Sequence, residues 1–400
     1  MKIFNLSLCI LCLFLFGACT PTPDSPATFV DKQLKNADAQ LSLLLTDALE
    51  ANRNPRTIDA AGEMHWVRQG FDWTEGFFPG TSWFLYDVTK KDAWKAAAEK
   101  FQAQYEDHKY LTGFHDLGFI FNCSYGNGYK ITKNKAYKEV LKTASDSLIT
   151  RFNPTVGSIM SWDVHHGWQS KRGWKFPVII DNMMNLEMLF EASISTGDPK
   201  YKEVAIAHAD TTLKNHFRED YSCYHVVDYD PETGAVRSKQ TAQGFSDSSA
   251  WARGQAWAVY GYTMCYRYTQ DEKYLEQAQK VADYILQYPG LPEDLIPYWD
   301  YNDPKIPNAP RDASAAAVTA SALVELSGYT NGKYIQDAAN ILKSLASPEY
   351  TATLGTNKHF ILKHSVGSIP HNNEIDVPLN YADYYYIEAL LKFKDYHTKK

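Results

Sequence analysis

Five times this chain repeats a short polar turn, an aromatic residue and a long amphipathic run. The turns occupy residues 89–94, 132–137, 196–201, 269–274 and 330–334, each opening on Thr and closing on Trp94, Tyr137, Tyr201, Tyr274 or Tyr334. The runs behind them keep apolar residues on one face, as Tyr274, Ala278, Val281, Ala282 and Ile285 do at helical spacing. Thr, Asp and Asn in the turns supply oxygens for the unpaired amides that open a helix. Ahead of each turn lies a second, less charged stretch. Six such stretches begin near Gly76, Asp116, Asp181, Ala252, Asp312 and Tyr381, and residues 313–326 are almost wholly apolar or small. A helix of that kind is covered on most sides. With an opening helix at about 28–49, the pattern predicts six buried inner helices and six polar-faced outer ones. The expected fold is all-α, an (α/α)6 barrel or six-hairpin toroid, with an open helical solenoid as the alternative. Neither a βαβ series nor a phosphate loop is present, and residues 76–80 are no dinucleotide fingerprint.

A closed alternation of this sort has a consequence for chemistry. All inner helices run the same way, so their N-termini share one rim. Asp116, Asp181, Arg253 and Asp312 fall near that rim, under loops that carry Trp73, Trp162, Trp168, Trp174, His225 and Trp251. Helix starts favour anions and ionised carboxylates. Aromatic residues make up 14% of the chain, with 10 Trp and 27 Tyr, enough both to pack and to line a cleft that stacks on flat ligand faces. A net charge of −7 without a dense basic run speaks against a nucleic-acid partner.

Two carboxylates enter otherwise apolar helices, Asp116 in the segment 112–119 and Asp181 in the segment 176–186. Each alone reads equally as a helix cap. Together on one rim they divide their proton affinities, so that one stays protonated while the other ionises. Residues 240–257 gather amides, hydroxyls, Trp251, Trp257 and Arg253 around the start of an inner helix. Arg253 is suited to a carboxylate and the indoles to a sugar face; equally, Trp257 is a core residue and Arg253 pairs with Asp247 or Asp312. His165 and His166 point apart on any regular element and lack acidic companions at zinc spacing, and residues 244–247 form no nucleophile elbow. His225 is either a ligand donor or a loop hydrogen-bonder.

The first 19 residues carry Lys2, an apolar stretch from Leu6 to Phe16, and then Gly17, Ala18 and Cys19. The apolar stretch is too short for a mature membrane span. It resembles a bacterial lipoprotein signal with lipid on Cys19, although Phe16 stands where Leu is usual; an ordinary secretory peptide is the alternative. Residues 20–26 read as a Pro-rich tether and 27–400 as one catalytic domain. The expected location is exported, periplasmic or associated with the outer membrane of a Gram-negative cell. Three cysteines then remain, Cys123, Cys223 and Cys265, which form no disulfide framework and read as buried small hydrophobes.

Five ordered stretches together resemble the unsaturated glucuronyl hydrolases of glycoside hydrolase family 88. They are residues 73–80, 115–119, 181–186, 243–257 and 376–386. The resemblance implies an (α/α)6 barrel with no metal or other cofactor. It also implies that Asp181 is the general acid and then base, with Asp116 its essential carboxylate partner. Trp73, His225, Gln243, Trp251, Arg253 and Trp257 resemble groups around a terminal unsaturated uronate. Phe78 stands where that family often has Trp, a change between flat apolar groups. The substrate implied is an unsaturated acidic oligosaccharide left by a polysaccharide lyase, of glycosaminoglycan type. Unsaturated rhamnogalacturonyl hydrolase activity is the nearest alternative, and a non-catalytic carbohydrate-binding lipoprotein the alternative from another class.

Overall fold

The computed structural model describes residues 25–68 and 70–399, so the leader, Cys19 and most of the tether lie outside the described residues. Among the described residues, twelve α-helices alternate between an outer and an inner layer. The outer–inner pairs are α1 (Pro26–Ala51) with α2 (Phe77–Thr89), α3 (Asp92–Ala103) with α4 (Asn127–Thr132), α5 (Lys135–Ile149) with α6 (Leu186–Thr196), α7 (Pro199–Asn215) with α8 (Ala252–Thr269), α9 (Glu272–Gln287) with α10 (Ala313–Tyr329), and α11 (Ile335–Leu345) with α12 (Asn380–Thr398). Two inner helices have unusual first turns. Helix α4 continues a π-helical segment, Gly118–Gly126, and α6 continues a 3-10 segment, Ile180–Asn185.

The inner layer closes on itself. Helix α2 packs on Gly118–Gly126, that segment on α6, α6 on α8, α8 on α10, α10 on α12, and α12 back on α2. The last contact is what an open solenoid lacks, and the fold is the all-α toroid expected. Small residues permit the close approach: from Ala313 to Val324, α10 is buried at every position.

The repeated turns do two things. Lys90, Lys133, Gly197 and Gln270 end their inner helices in the left-handed conformation, and Asn134, Asp198 and Asp271 then cap the next outer helix. In four of the five turns the closing aromatic residue reaches back to the preceding outer helix. Trp94 Nε1 donates to Asp38 (2.8 Å), Tyr201 to Asp146 (2.7 Å), Tyr274 to Asp210 (2.7 Å) and Tyr334 to Asp283 (2.9 Å). Successive outer helices are thereby pinned at one spacing.

Four small antiparallel sheets, absent from the sequence reading, all lie in connections that run from an outer helix to the next inner one. Their strands are two to five residues long, too short for an alternating pattern. The largest pairs Phe176–Ile179 with Val226–Tyr229 and then Val236–Gln240. A hairpin of Ser365–Ser368 and Asn373–Val377 leads into α12. These long connections roof the rim where the inner helices begin. Toward the opposite end the lumen is filled by charge pairs: Lys130 with Glu187 (3.0 Å), Arg267 with Glu325 (3.1 Å) and Lys392 with both Glu325 (3.1 Å) and Glu388 (3.3 Å). Cys123, Cys223 and Cys265 are buried and unpaired, and no described helix is long and apolar enough to cross a membrane.

Removing one inter-helix bond at a time tests the pinning. Tyr201→Phe and Tyr274→Phe should each lower stability by roughly 1–2 kcal/mol, because each deletes a hydrogen bond to a carboxylate. The losses should add in the double variant, since the two sites share no partner. Denaturant titration reads the stability, and turnover should be unchanged.

Candidate active site

Asp181 owes its position to the three-stranded sheet. Strand Phe176–Ile179 pairs with Val226–Tyr229 so that Ile179 faces Val226, and the Ile180 amide donates to the His225 carbonyl at 3.0 Å. The chain then turns through Ile180–Asn185, with Asp181 at the rim. Asn182 fixes the turn by donating to the Ile159 carbonyl at 2.9 Å. Asn185 donates to Asn182 and accepts from the backbone amides of Gly118 (2.8 Å) and Phe119 (3.2 Å). Those amides open the helix that follows Asp116. One side chain from the Asp181 turn therefore caps the Asp116 helix. Gly118 is required there, since a Cβ would overlap the Asn185 backbone.

The two carboxylates are set in an environment that resists charge. Their side chains are only 17% and 13% exposed. Burial pushes Asp116 well above the ordinary carboxylate range, and repulsion from Asp181 pushes it further. Burial raises Asp181 to about 7, opposed by the nearby Arg253 charge. Around neutral pH the pair holds at least one proton. His115 Nε2 lies 3.1 Å from Asp116 Oδ1, but burial and the Arg151 charge hold this imidazole down to about 3, so it is neutral there.

His225 has a fixed tautomer. Its Nδ1 accepts from the backbone amides of Ala242 (3.0 Å) and Gln243 (3.1 Å). An imidazole that accepts at Nδ1 carries its proton at Nε2, provided it is neutral. Burial, then the Arg253 charge, keeps it neutral by holding it well below its ordinary range. The Nε2–H thus faces Asp181 Oδ2 at 3.6 Å. The indole of Trp251 lies beside the imidazole, with ring centroids 4.8 Å apart. Trp257 is fully buried and neighbours Asp181. Asp181 Oδ2, His225 Nε2, Trp251 Nε1, Arg253 Nε and Trp257 Nε1 are all buried and make no hydrogen bond within the described residues. Buried polar atoms normally find partners. Five without one, from the Asp181 turn, the connection that ends at Trp251 and helix α8, gather at this rim.

Arg253 is not a free fork. Its Nη1 donates to Asp312 Oδ2 (3.1 Å) and to the Val366 carbonyl, and its Nη2 donates to the Gly367 carbonyl at 2.6 Å. The guanidinium also lies over the Trp251 ring at 4.6 Å. Of the two readings made from sequence, pairing with Asp312 is present and Asp247 is not the partner, which leaves Nε and one Nη2 hydrogen without a bond. Gln243 donates to the same Gly367 carbonyl at 3.4 Å. Both side chains therefore hold the hairpin that roofs the pocket. Trp73 sits at the rim against Phe119 and Tyr381, with centroids 5.3 and 4.9 Å away. All eight residues singled out from sequence thus fall around one rim.

Several contributors went unread. Asn182, Asn185 and Ser161 shape the Asp181 turn, and Arg151 binds the Met160, Thr112 and Ser161 carbonyls beneath Asp116. Arg56 holds the far strand of the roofing hairpin, bonding Glu374 at 2.6 Å and Asp72 at 2.7 Å. Asn at the third and sixth positions after Ile179 was the one available signal, since amides cap turns. Trp162, Trp168 and Trp174 form an aromatic wall outward from His225, with neighbouring centroids 5.1–5.8 Å apart. His165 and His166 are exposed, and no cluster of three or more His, Cys, Asp or Glu suited to a metal occurs among the described residues.

A toroid with a proton-holding carboxylate pair at its roofed rim defines a glycoside-processing hydrolase, and sequence and structure comparisons agree. The sequence model of Glycosyl Hydrolase Family 88 matches residues 49–398, and the chain belongs to that family. It is 47% identical over 363 residues to an unsaturated glucuronyl hydrolase of Formosa agariphila, covering 90% of each chain. It is 32% identical over 392 residues to an unsaturated chondroitin disaccharide hydrolase of Streptococcus pneumoniae, covering 94% of each. The crystal structure of an unsaturated glucuronyl hydrolase specific for heparin superposes with a TM-score of 0.87 at 46% identity, over 92% of this chain and 98% of that one.

The raised Asp181 carboxyl makes a stability prediction. Its folded value of about 7 lies above its ordinary 3.8, so the unfolded chain loses this proton first as pH rises. The folded state is thus penalised progressively from about pH 4 to about pH 7. Asp181→Asn removes the titration. It should melt higher than the wild type at pH 8, by at most on the order of 4 kcal/mol, and with little difference at pH 4.

Proposed function

We propose that this enzyme hydrates the C4=C5 double bond of a terminal unsaturated uronic acid, on oligosaccharides that a lyase has cut from a glycosaminoglycan. The observation that carries the reading is the Asp116–Asp181 pair, held partly protonated beside five unpartnered polar atoms. The relatives with heparin and chondroitin in their names support the substrate class. Asp181 is the proton donor. The double bond of such a uronate is conjugated to the ring oxygen, so protonation at C4 leaves an oxocarbenium-like centre at C5. Asp181, now a carboxylate, takes a proton from water as the hydroxide portion adds to C5. The hemiketal so formed opens to a C5 ketone, the ring oxygen stays on C1, and the neighbouring sugar leaves as an alcohol. One water is consumed and no bond to the anomeric carbon is made by it. The carboxylate-spacing rule for ordinary displacement therefore does not apply.

Asp116, itself held toward the neutral form, shares the site's protons with Asp181. The Nε2–H of His225 and the indole N–H groups of Trp251 and Trp257 hold the substrate carboxylate or hydroxyls, while Trp73 flanks the ring. Arg253 and Gln243 contribute chiefly by holding the roof. In the same reading, residues 1–19 are a lipoprotein signal with lipid on Cys19, 20–26 a tether and 27–400 one catalytic domain. Cys19→Ala should then release the enzyme from the membrane fraction of its native host; an unmodified mature N-terminus at another residue would defeat the anchor.

Asp181→Asn should fold and bind but lose roughly a hundred- to ten-thousand-fold in turnover, the usual worth of a general acid–base. For the wild type, kcat/KM should fall as pH rises through about 7, where Asp181 gives up its proton. In deuterated water the product should carry deuterium at the former C4, and labelled water oxygen should appear at C5. Oxygen at the anomeric carbon, or near-normal turnover in Asp181→Asn, would defeat the mechanism.

A further inference from the structure

A line of hydrogen bonds runs from the outer layer, through the Asp181 turn, to the start of the helix behind Asp116. On α7, His208 Nδ1 accepts from the Ile159 amide (3.1 Å), and the Ile159 carbonyl accepts from Asn182 Nδ2 (2.9 Å). Asn182 Oδ1 accepts from Asn185 Nδ2 (3.1 Å), and Asn185 Oδ1 accepts from the amides of Gly118 (2.8 Å) and Phe119 (3.2 Å). The next amide, that of Ile120, donates to the Asp116 carbonyl at 3.2 Å. His208, Ile159, Asn182 and Asn185 are fully buried.

The two ends fix the direction of this line. Backbone N–H groups at one end can only donate, so Asn185 must turn its oxygen to them and its NH2 to Asn182. The Ile159 carbonyl at the other end can only accept, so Asn182 must turn its NH2 there. Each side chain therefore has to supply an acceptor and a donor at once, and an ionised Asp in either place lacks the donor. Buried bonds arranged head to tail reinforce one another. The turn is also wedged sterically. A Cβ on Gly261 of α8 would lie 2.6 Å from Met183 Cβ, and one on Gly118 would lie 2.4 Å from Asn185 Cα. With no exposed surface, neither Asn can touch a substrate.

We infer that Asn182 and Asn185 are positioning residues for the acid–base pair, a role that rests on the hydrolase reading above. Their amide bridge seats the Asp181 turn against the Asp116 helix, so that the two carboxyl groups keep one separation throughout the reaction. Asp181 passes through its charged form between giving its proton to C4 and regaining one from water. A charged carboxylate on a loose turn would swing toward solvent, and the bridge denies it that movement by holding the backbone on both sides. Burial is what raises Asp181, and burial lasts only while the turn stays seated.

The test compares Asn182→Ala, Asn185→Ala and the double variant of the full-length mature enzyme, on an unsaturated uronate–hexosamine disaccharide. Each single variant should lose roughly ten- to a hundredfold in kcat, the cost of a small misplacement at the reacting centre, with KM held within about twofold. The double variant should lose no more than the worse single one, because the bridge acts as a unit. The alkaline limb of kcat/KM should move to lower pH in all three, as water reaching the loosened turn relieves the burial of Asp181. Should alanine fail to fold at position 185, Asn185→Asp keeps the size and both amide contacts and should still lose kcat with KM held. Unchanged kcat and pH profile in folded variants, even with lower melting temperatures, would make the bridge structural only and overturn the inference. Additive losses in the double variant would overturn it too. A second comparison needs no substrate: the pH-dependent melting difference between the wild type and Asp181→Asn should shrink in the Asn185→Ala background, and an undiminished difference would again overturn the inference. Absence of turnover by the wild type would defeat the hydrolase reading alone, and the melting comparison would still decide whether the bridge seats Asp181.

Discussion

The bond from a repeat's closing aromatic to a carboxylate on the previous outer helix, made at four of the five turns, sets the spacing of the ring. Trp94 with Asp38, Tyr201 with Asp146, Tyr274 with Asp210 and Tyr334 with Asp283 are the same device at successive positions. A buried aromatic whose polar tip must find a partner is a precise spacer, because its body needs the core and its tip the neighbouring helix. With the outer layer spaced in this way, the inner helices are held at a separation that small residues such as those of α10 can fill. Closure of α12 on α2 follows. It turns six parallel inner helices into one rim with six helix starts, and that rim is where the long connections must lie.

The rim is also where the fold accepts its electrostatic cost. Asp116 and Asp181 are both pushed toward the neutral form, and a cluster of indole, imidazole and guanidinium donors stands beside them without partners. The other end of the lumen avoids this situation. Glu187 and Glu325 at the other end are equally buried, yet Lys130, Arg267 and Lys392 hold them below the ordinary carboxylate range. The same residue type is therefore compensated at one end of the lumen and left uncompensated at the other. Of the two ends of the lumen, the uncompensated one is set to hold a proton near neutral pH.

The toroid was legible because it depends on features that are local in sequence: a helical apolar period, a capping residue and a turn of fixed length. The inner helix starts near Asp181, Ala252 and Asp312 emerged for the same reason. The small sheets did not, since strands such as Phe152–Asn153 are too short to carry a period and pair only after the ring has brought them together. In the site, residue type and resemblance singled out the carboxylates and the aromatics. The roles of Asn185 and Arg56 depend on partners 67 and 318 residues away, which no spacing rule reaches. Arg253 shows the same limit from the other side. Its type suggested a ligand fork, whereas Asp312 and the Val366 and Gly367 carbonyls occupy most of its donors.

That use of Arg253 explains how a pocket assembled from loops can be stiff. The hairpin over the cleft is gripped on one strand by Arg253 and Gln243, through the Val366 and Gly367 carbonyls, and on the other by Arg56 through Glu374. Arg56 is in turn bonded to Asp72, next to Trp73, while Arg253 lies over Trp251. Two buried guanidiniums thus tie the roof to the indole of Trp251 and to the segment that carries Trp73. Arginine suits this task because a planar group with several donors can bridge two elements at once. The donors that hold the roof are spent on carbonyls and carboxylates, so the N–H groups left without partners beside Asp181 sit chiefly on the rigid rings of His225, Trp251 and Trp257.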